Sequence, residues 1–251
     1  LSDVILETSG LKRSFGGFYA VDGVDLKVRE GTIHALIGPN GAGKTTCFNL
    51  LSKFLQPTSG SIRLMGTDIT GLQPPFVARL GMVRSFQISA TFLTMTALEN
   101  VRLALQRARG ESYDFWAGRK ALLQYEDRAR QLLADVGLEG AEDIPANLLP
   151  YGHKRALEIA TTLALDPRVV LLDEPTAGMT HADVERIVLL IQRIRKNRTI
   201  VVVEHNLSVV EGLCDAVTVL TRGKILTEGP YAEVSKNPAV IAAYLGTVDE
   251  Q

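Results

Sequence analysis

At 251 residues the chain can bury a substantial core in one large domain, and its 46% hydrophobic and 22% charged content excludes a chain disordered throughout. The 27 Lys and Arg against 28 Asp and Glu give a net charge of −1, so no global field draws it to nucleic acid or acidic lipid. The two cysteines, Cys47 and Cys214, lack metal-ligand or disulfide-framework spacing and read as core thiols of a reducing compartment. No apolar run has the length of a membrane span, and the opening LSDVILETSG lacks a basic segment followed by an apolar one. The expectation is a cytosolic chain, with any membrane-spanning done by another subunit.

The first third reads as short strands: VILETSGL, then VDLKVRE with alternating apolar positions, then the apolar run IHALIG, separated by turns containing glycine. A helix from about Lys44 to Leu55 is expected next, stopped by Pro57 and Gly60, with another strand at SIRLM. From about Pro74 to Ala160 the pattern turns helical, since PFVARLG, TALENVRLALQRA and ALLQYEDRARQLLADVG carry apolar residues at i, i+3 and i+4 with charges between. This predicts a helical subdomain inserted into a β-rich core. Strand RVVLLDE, helix ADVERIVLLIQRIRK, strand TIVVVE, helix LSVVEGLC and strand DAVTVLT follow, then a hairpin at RGKILTEG and a short helix in NPAVIAAYLG. Such alternation predicts a mainly parallel sheet covered on both faces.

GPNGAGKTT, residues 38–46, follows an apolar strand and opens a helix, and it fits the phosphate-loop pattern G-x-x-x-x-G-K-[ST]. Glycines there let successive N–H groups point at phosphate oxygens, and the helix N-terminus adds the positive end of its dipole. In that pattern Lys44 reaches the β- and γ-phosphates and Thr45 ligates Mg²⁺. The apolar strand RVVLLDEP ends in two carboxylates. In a phosphate-loop protein the first, Asp173, belongs at the Mg²⁺ shell, and the second, Glu174, is placed to polarise an attacking water.

On these two motifs the chain resembles the ATP-binding cassette ATPases over nearly its whole length. The resemblance implies an α/β phosphate-loop NTPase fold with a mainly parallel RecA-like core, an N-terminal antiparallel β subdomain and an inserted helical subdomain. It places the nucleotide-binding core at about 1–86 and 161–234, the helical subdomain at about 87–160 and a C-terminal helix and tail at 235–251. ATP would be held by Phe15 against adenine and by Gly38, Pro39, Asn40, Gly41, Ala42, Gly43, Lys44, Thr45 and Thr46 around the phosphates. Catalytic roles fall to Lys44, Glu174, His205 as the switch histidine and Gln87 of the Q-loop, with Thr45, Gln87 and Asp173 as the Mg²⁺-side residues.

LPYGHKR stands where the family carries Leu-Ser-Gly-Gly-Gln, which binds the γ-phosphate of ATP held by the opposite subunit. Leu149 and Gly152 persist, while Pro150 replaces the serine, Tyr151 the first glycine and His153 the glutamine. Pro150 has neither a hydroxyl nor a backbone N–H, so remaining amides, the helix dipole and His153 are left to meet the phosphate. Thr180 stands where the D-loop of the family has an acid.

Tyr-Gly in the signature, Gly-Met-Thr after DEPTA, the Phe-Gly-Gly start and the NPAVIAAYLG ending resemble the ATPases of branched-chain amino-acid importers, which pair two different ATPase chains; importers of urea, amides and aromatic acids share these features, so the transported solute does not follow from them. GESYDFWAGRKALLQYEDR resembles the longer of the two. The partners so implied are membrane-spanning permease subunits, a second ATPase subunit in a hetero- or homodimer, and a periplasmic solute-binding protein acting through the permease, with no nucleic acid. The implied location is the cytoplasmic face of the bacterial inner membrane. An exporter-side cassette moving lipid or lipopolysaccharide is the nearest alternative reading. A cassette acting on nucleic acid or the ribosome is disfavoured, because the chain has no sustained heptads or basic block. A small GTPase is disfavoured for want of an Asn-Lys-x-Asp motif.

Overall fold

The computed structural model describes residues 3–85, 91–108 and 124–245. Its central sheet has six strands in the spatial order β11 (Lys224–Gly229), β10 (Ala216–Thr221), β4 (Ile33–Ile37), β9 (Thr199–Val203), β8 (Val169–Asp173) and β7 (Met82–Ser85). All neighbours pair in parallel except β11, which folds back antiparallel on β10. All five residues of β4, β8 and β9 are buried, as strands covered on both faces must be.

Side-chain alternation divides this sheet between two cores. Val170 and Leu172 of β8, with Ile33, Ala35 and Ile37 of β4, pack with α3 (Ala97–Ala108), α4 (Glu126–Asp135), α5 (Tyr151–Leu163), α6 (His181–Ile194) and α7 (Leu207–Leu213), joined by Val234 and Val240 of the two C-terminal helices. Val169 and Leu171, with Leu36, Val201 and Val203, face the other way, onto α1 (Lys44–Leu51) and a second, antiparallel sheet. That sheet runs β2 (Phe18–Val24), β1 (Val4–Phe15), β5 (Ser59–Leu64), β6 (Thr67–Asp68), with β3 (Lys27–Arg29) also paired to β1. A short α2 (Pro74–Arg79) precedes β7, and α8 (Tyr231–Val234) and α9 (Pro238–Leu245) close the described chain. Among the described residues no helix is long and apolar enough to cross a membrane.

The mainly parallel sheet and the antiparallel N-terminal layer match expectation, but four local readings need correction. The helical character expected from Pro74 onward is interrupted by β7, a four-residue strand after Gly81, too short to show a period of two against its helical flanks. The expected strand VDLKVRE shrinks to β3, and the hairpin partner of β1 is instead Phe18–Val24. Helix α1 stops at Leu51 rather than Leu55, because Lys53 turns left-handed at φ 64°. Cys47 is buried, with burial pushing its thiol up to about 12, whereas Cys214 is only partly buried at the edge of the helical core. Most of the segment GESYDFWAGRKALLQYEDR lies outside the described residues.

The face of the sheet toward α1 also carries a polar chain that runs from buried His34 and Thr218 out to exposed Glu228. His34 Nε2 lies 2.7 Å from Thr218 Oγ1, and that hydroxyl donates to Glu228 Oε2 at 2.7 Å. Burial holds the imidazole below its ordinary value of 6.5, with the Glu228 charge acting the other way. Unfolding releases the ring to take up a proton, so this contribution to stability is complete above about 6.5 and is lost as the pH falls below it. Melting temperature should therefore drop between about pH 7 and pH 5, and His34→Gln should flatten that slope in thermal-shift measurements across the same range.

Candidate functional site

The loop from β4 to α1 has little room for side chains. A Cβ on Gly38 would lie 2.2 Å from the Leu220 carbonyl oxygen, and one on Gly43 2.3 Å from that of Ala20. Gly43 also has φ 97°, a backbone that other residues adopt only with strain. The β10–β11 turn and β2 brace the loop from outside: the Gly223 amide donates to the Ala42 carbonyl at 2.9 Å, and the Asp22 amide to the Gly223 carbonyl at 2.8 Å. Gly43 is the N-cap of α1 without a side-chain cap, so the first amides of the helix point out of the loop with no protein acceptor among the described residues. An anion is the natural occupant of such a concavity.

Lys44 is 6% exposed, and its ammonium folds back to donate to the carbonyls of Gly38, at 2.7 Å, and Pro39, at 2.9 Å. Burial holds its pKa below the ordinary lysine range, and the nearby charge of Glu174 works against that. The two carbonyls thus keep a cation parked in the loop.

Alternation along β8 sends Asp173 to the same face as Val169 and Leu171, toward α1. Its carboxylate is buried in an ion pair with Arg84 of β7. Glu174 follows in a left-handed conformation at φ 45°, uncommon for a residue with a side chain, and its amide donates to Val203 of β9 at 2.9 Å. This turn aims the carboxylate at His205, whose Nε2 lies 2.5 Å from Glu174 Oε1. Two sequence-predicted residues, 31 positions apart in the chain, therefore meet at the carboxyl ends of adjacent strands.

Sequence reasoning missed the residue that fixes this pair. Glu204 is 3% exposed and accepts from the Thr176 amide at 3.2 Å, the Thr176 hydroxyl, the His205 amide at 2.8 Å and the Asn206 amide at 3.1 Å. It ties the chain just after Glu174 to the chain at His205. The only signal in the sequence was an acid ending the apolar run TIVVVE, which alone reads as a strand meeting solvent.

Phe15 is half-exposed beside Gly16 and Gly17, opposite Phe18 in the β1–β2 hairpin, and the Arg13 guanidinium lies 4.6 Å from its ring centroid. At the signature, Pro150 is the N-cap of α5, with Leu149 buried before it. No side chain caps the helix, so its first turn offers amides outward. The Tyr151 hydroxyl donates to the Ala177 carbonyl at 3.2 Å, and a Cβ on Gly152 would come within 2.9 Å of Asp183 Oδ1. Thr180 is the N-cap of α6, accepting from the Asp183 amide and donating to its carboxylate at 2.8 Å. Gln87 lies outside the described residues.

Among the described residues, no group of three or more His, Cys, Asp or Glu could hold a metal ion. The Thr45 hydroxyl, exposed at the start of α1, and the Asp173 carboxylate are oxygen donors, suited to a hard cation that takes its other ligands from phosphate and water.

A phosphate-binding loop opening a helix, a buried Asp and a Glu–His contact at neighbouring strand ends define a nucleoside-triphosphatase. A family model described as ABC transporter matches residues 21–177, and another, described as branched-chain amino acid ATP-binding cassette transporter, matches residues 224–250. The chain is 41% identical to the high-affinity branched-chain amino acid transport ATP-binding protein BraF of Pseudomonas aeruginosa, covering 98% of this chain and 99% of that protein. It is 39% identical to LivG of Salmonella typhimurium over the same shares. Among solved structures, the ADP conformation of the cassette MJ1267 superposes with a TM-score of 0.85 at 28% identity, covering 98% of this chain and all of that one. The chain belongs to the ABC transporter family, as one of its ATP-hydrolysing cassettes.

Gly43→Ala should abolish tight nucleotide binding, since the new methyl meets the Ala20 carbonyl and the φ strain adds about 1–3 kcal/mol. Calorimetric titration with ADP, beside a melting curve, checks both effects.

Proposed function

We propose that this cassette works at the cytoplasmic face of a membrane, driving import of branched-chain or related small hydrophobic amino acids. It would do so with permease subunits, a second ATPase chain and a solute-binding protein. The match of residues 224–250 to the branched-chain amino acid cassette model carries the substrate class, and full-length similarity to BraF and LivG supports it. The core would comprise about 1–86 and 161–234, and the helical subdomain about 87–160.

In this reading ATP lies along the loop of residues 38–46, with adenine against Phe15. Mg²⁺ would be held by Thr45, Asp173 and Gln87 and would neutralise phosphate charge. Lys44 leaves the carbonyls of Gly38 and Pro39 for the β- and γ-phosphates, exchanging neutral acceptors for anionic ones, which are roughly twice as strong. Glu174 accepts a hydrogen bond from the attacking water, and His205, braced by Glu204 and in contact with Glu174, meets the γ-phosphate. The loop amides take up charge as it develops on the transferred group.

The uncapped start of α5, with Leu149, Pro150, Tyr151, Gly152 and His153, would face the γ-phosphate of ATP held by the second cassette. ATP therefore binds the closed pair better than the open one, which is the differential affinity any conformational switch requires. Opening and closing of the pair moves the helical subdomains and, through them, the permease.

Glu174→Gln should bind ATP with near wild-type affinity and lose roughly 10²–10⁴-fold in turnover. With ATP it should form a dimer by size-exclusion with light scattering, and a monomer that binds ATP would overturn closure between two like copies. Pro150→Ser, which restores a hydroxyl and an amide, should raise turnover at the site whose phosphate loop belongs to the second cassette; equal rates would show that the proline limits nothing.

A further inference from the structure

Arg84 is the third residue of β7 and shares the α1-facing side of the sheet with Met82. Its guanidinium forks. Nη2 pairs with Asp173 Oδ2 on β8, while Nη1 donates to Asn49 Oδ1 of α1 at 2.6 Å and to Ser52 Oγ at 3.2 Å. The rings of Phe48 and Phe54 lie 5.1 and 5.7 Å from its central carbon. Both charged side chains are largely out of water, Arg84 at 11% and Asp173 at 4% exposure, so breaking the pair would leave a buried charge uncompensated.

The partners are informative. Asn49 lies four residues beyond Thr45, on the same side of α1. Thr45 and Asp173 are the two hydroxyl and carboxylate donors of the reading above, and they stand on different elements. Arg84 bonds to both of those elements, and it takes up Oδ2 of Asp173 in doing so.

We infer that Arg84 is a positioning residue for the divalent cation that accompanies the nucleotide: it sets the spacing of α1 and β8 and presents Asp173 through its other oxygen. This rests on the assignment of Thr45 and Asp173 to the cation. A planar guanidinium suits the task, because one rigid fork reaches both elements at once; a lysine ammonium is a point donor on a flexible stem.

The test uses the full chain with ADP and Mn²⁺, reading free Mn²⁺ by electron paramagnetic resonance and ADP affinity separately in EDTA. Arg84→Lys should keep the wild-type ADP affinity in EDTA and lose about tenfold or more in Mn²⁺ affinity of the ADP complex, the usual size of an effect from behind a metal ligand. Asn49→Ala cuts only the α1 arm, leaves Asp173 paired, and should show a smaller loss in the same direction. If Arg84→Lys does not fold, Asn49→Ala decides alone. Folded variants with wild-type Mn²⁺ affinity, or with ADP affinity in EDTA and Mn²⁺ affinity lowered together, overturn the positioning role. A wild-type chain that binds ADP but holds no Mn²⁺ with it would instead overturn the cation site itself.

Discussion

The close approach of backbone to backbone at the phosphate loop is the constraint on which the site depends. Carbonyl oxygens of Leu220 and Ala20 crowd the positions that Cβ atoms of Gly38 and Gly43 would take, so β10 and β2 approach the loop backbone to backbone. The antiparallel layer and the parallel sheet are thereby wedged against one loop. That wedge leaves the first amides of α1 without a protein acceptor among the described residues, and such a concavity of donors is a preorganised anion site.

Around the wedge, strand alternation sorts charge with little help from sequence neighbours. Asp173 and Arg84 fall on the α1 face of the central sheet for the same reason that Val169 and Met82 do. Beyond the strand ends that rule stops, and local bonding replaces it: the left-handed turn at Glu174 and the four donors into Glu204 bring Glu174 and His205 together. Each mechanism covers ground the other cannot.

Much of this was legible in the chain. GPNGAGKTT and RVVLLDEP carry the phosphate loop and the buried Asp because local spacing and strand burial are local properties. His205 became legible only by resemblance, since nothing local separates it from a structural histidine. Glu204 and Arg84 were not legible as site residues: the ties that give them their roles, to Thr176 28 residues away and to Asp173 89 residues away, depend on which strands become neighbours. Short strands such as β7 were hidden because four residues cannot display a period of two between helical flanks. Thr180 was read as a missing acid, yet its hydroxyl caps α6, a role set by where the helix begins.

The start of the segment from Thr176 to Thr180 is held by two ties of unequal character on adjacent residues. Thr176 is sunk into buried Glu204 by its amide and its hydroxyl. Only one residue on, Ala177 is fastened to the start of α5 by the exposed hydroxyl of Tyr151, a single bond of about 1 kcal/mol. Any change that displaces α5 from this segment would break the exposed Tyr151 bond at lower cost than the buried bonds into Glu204.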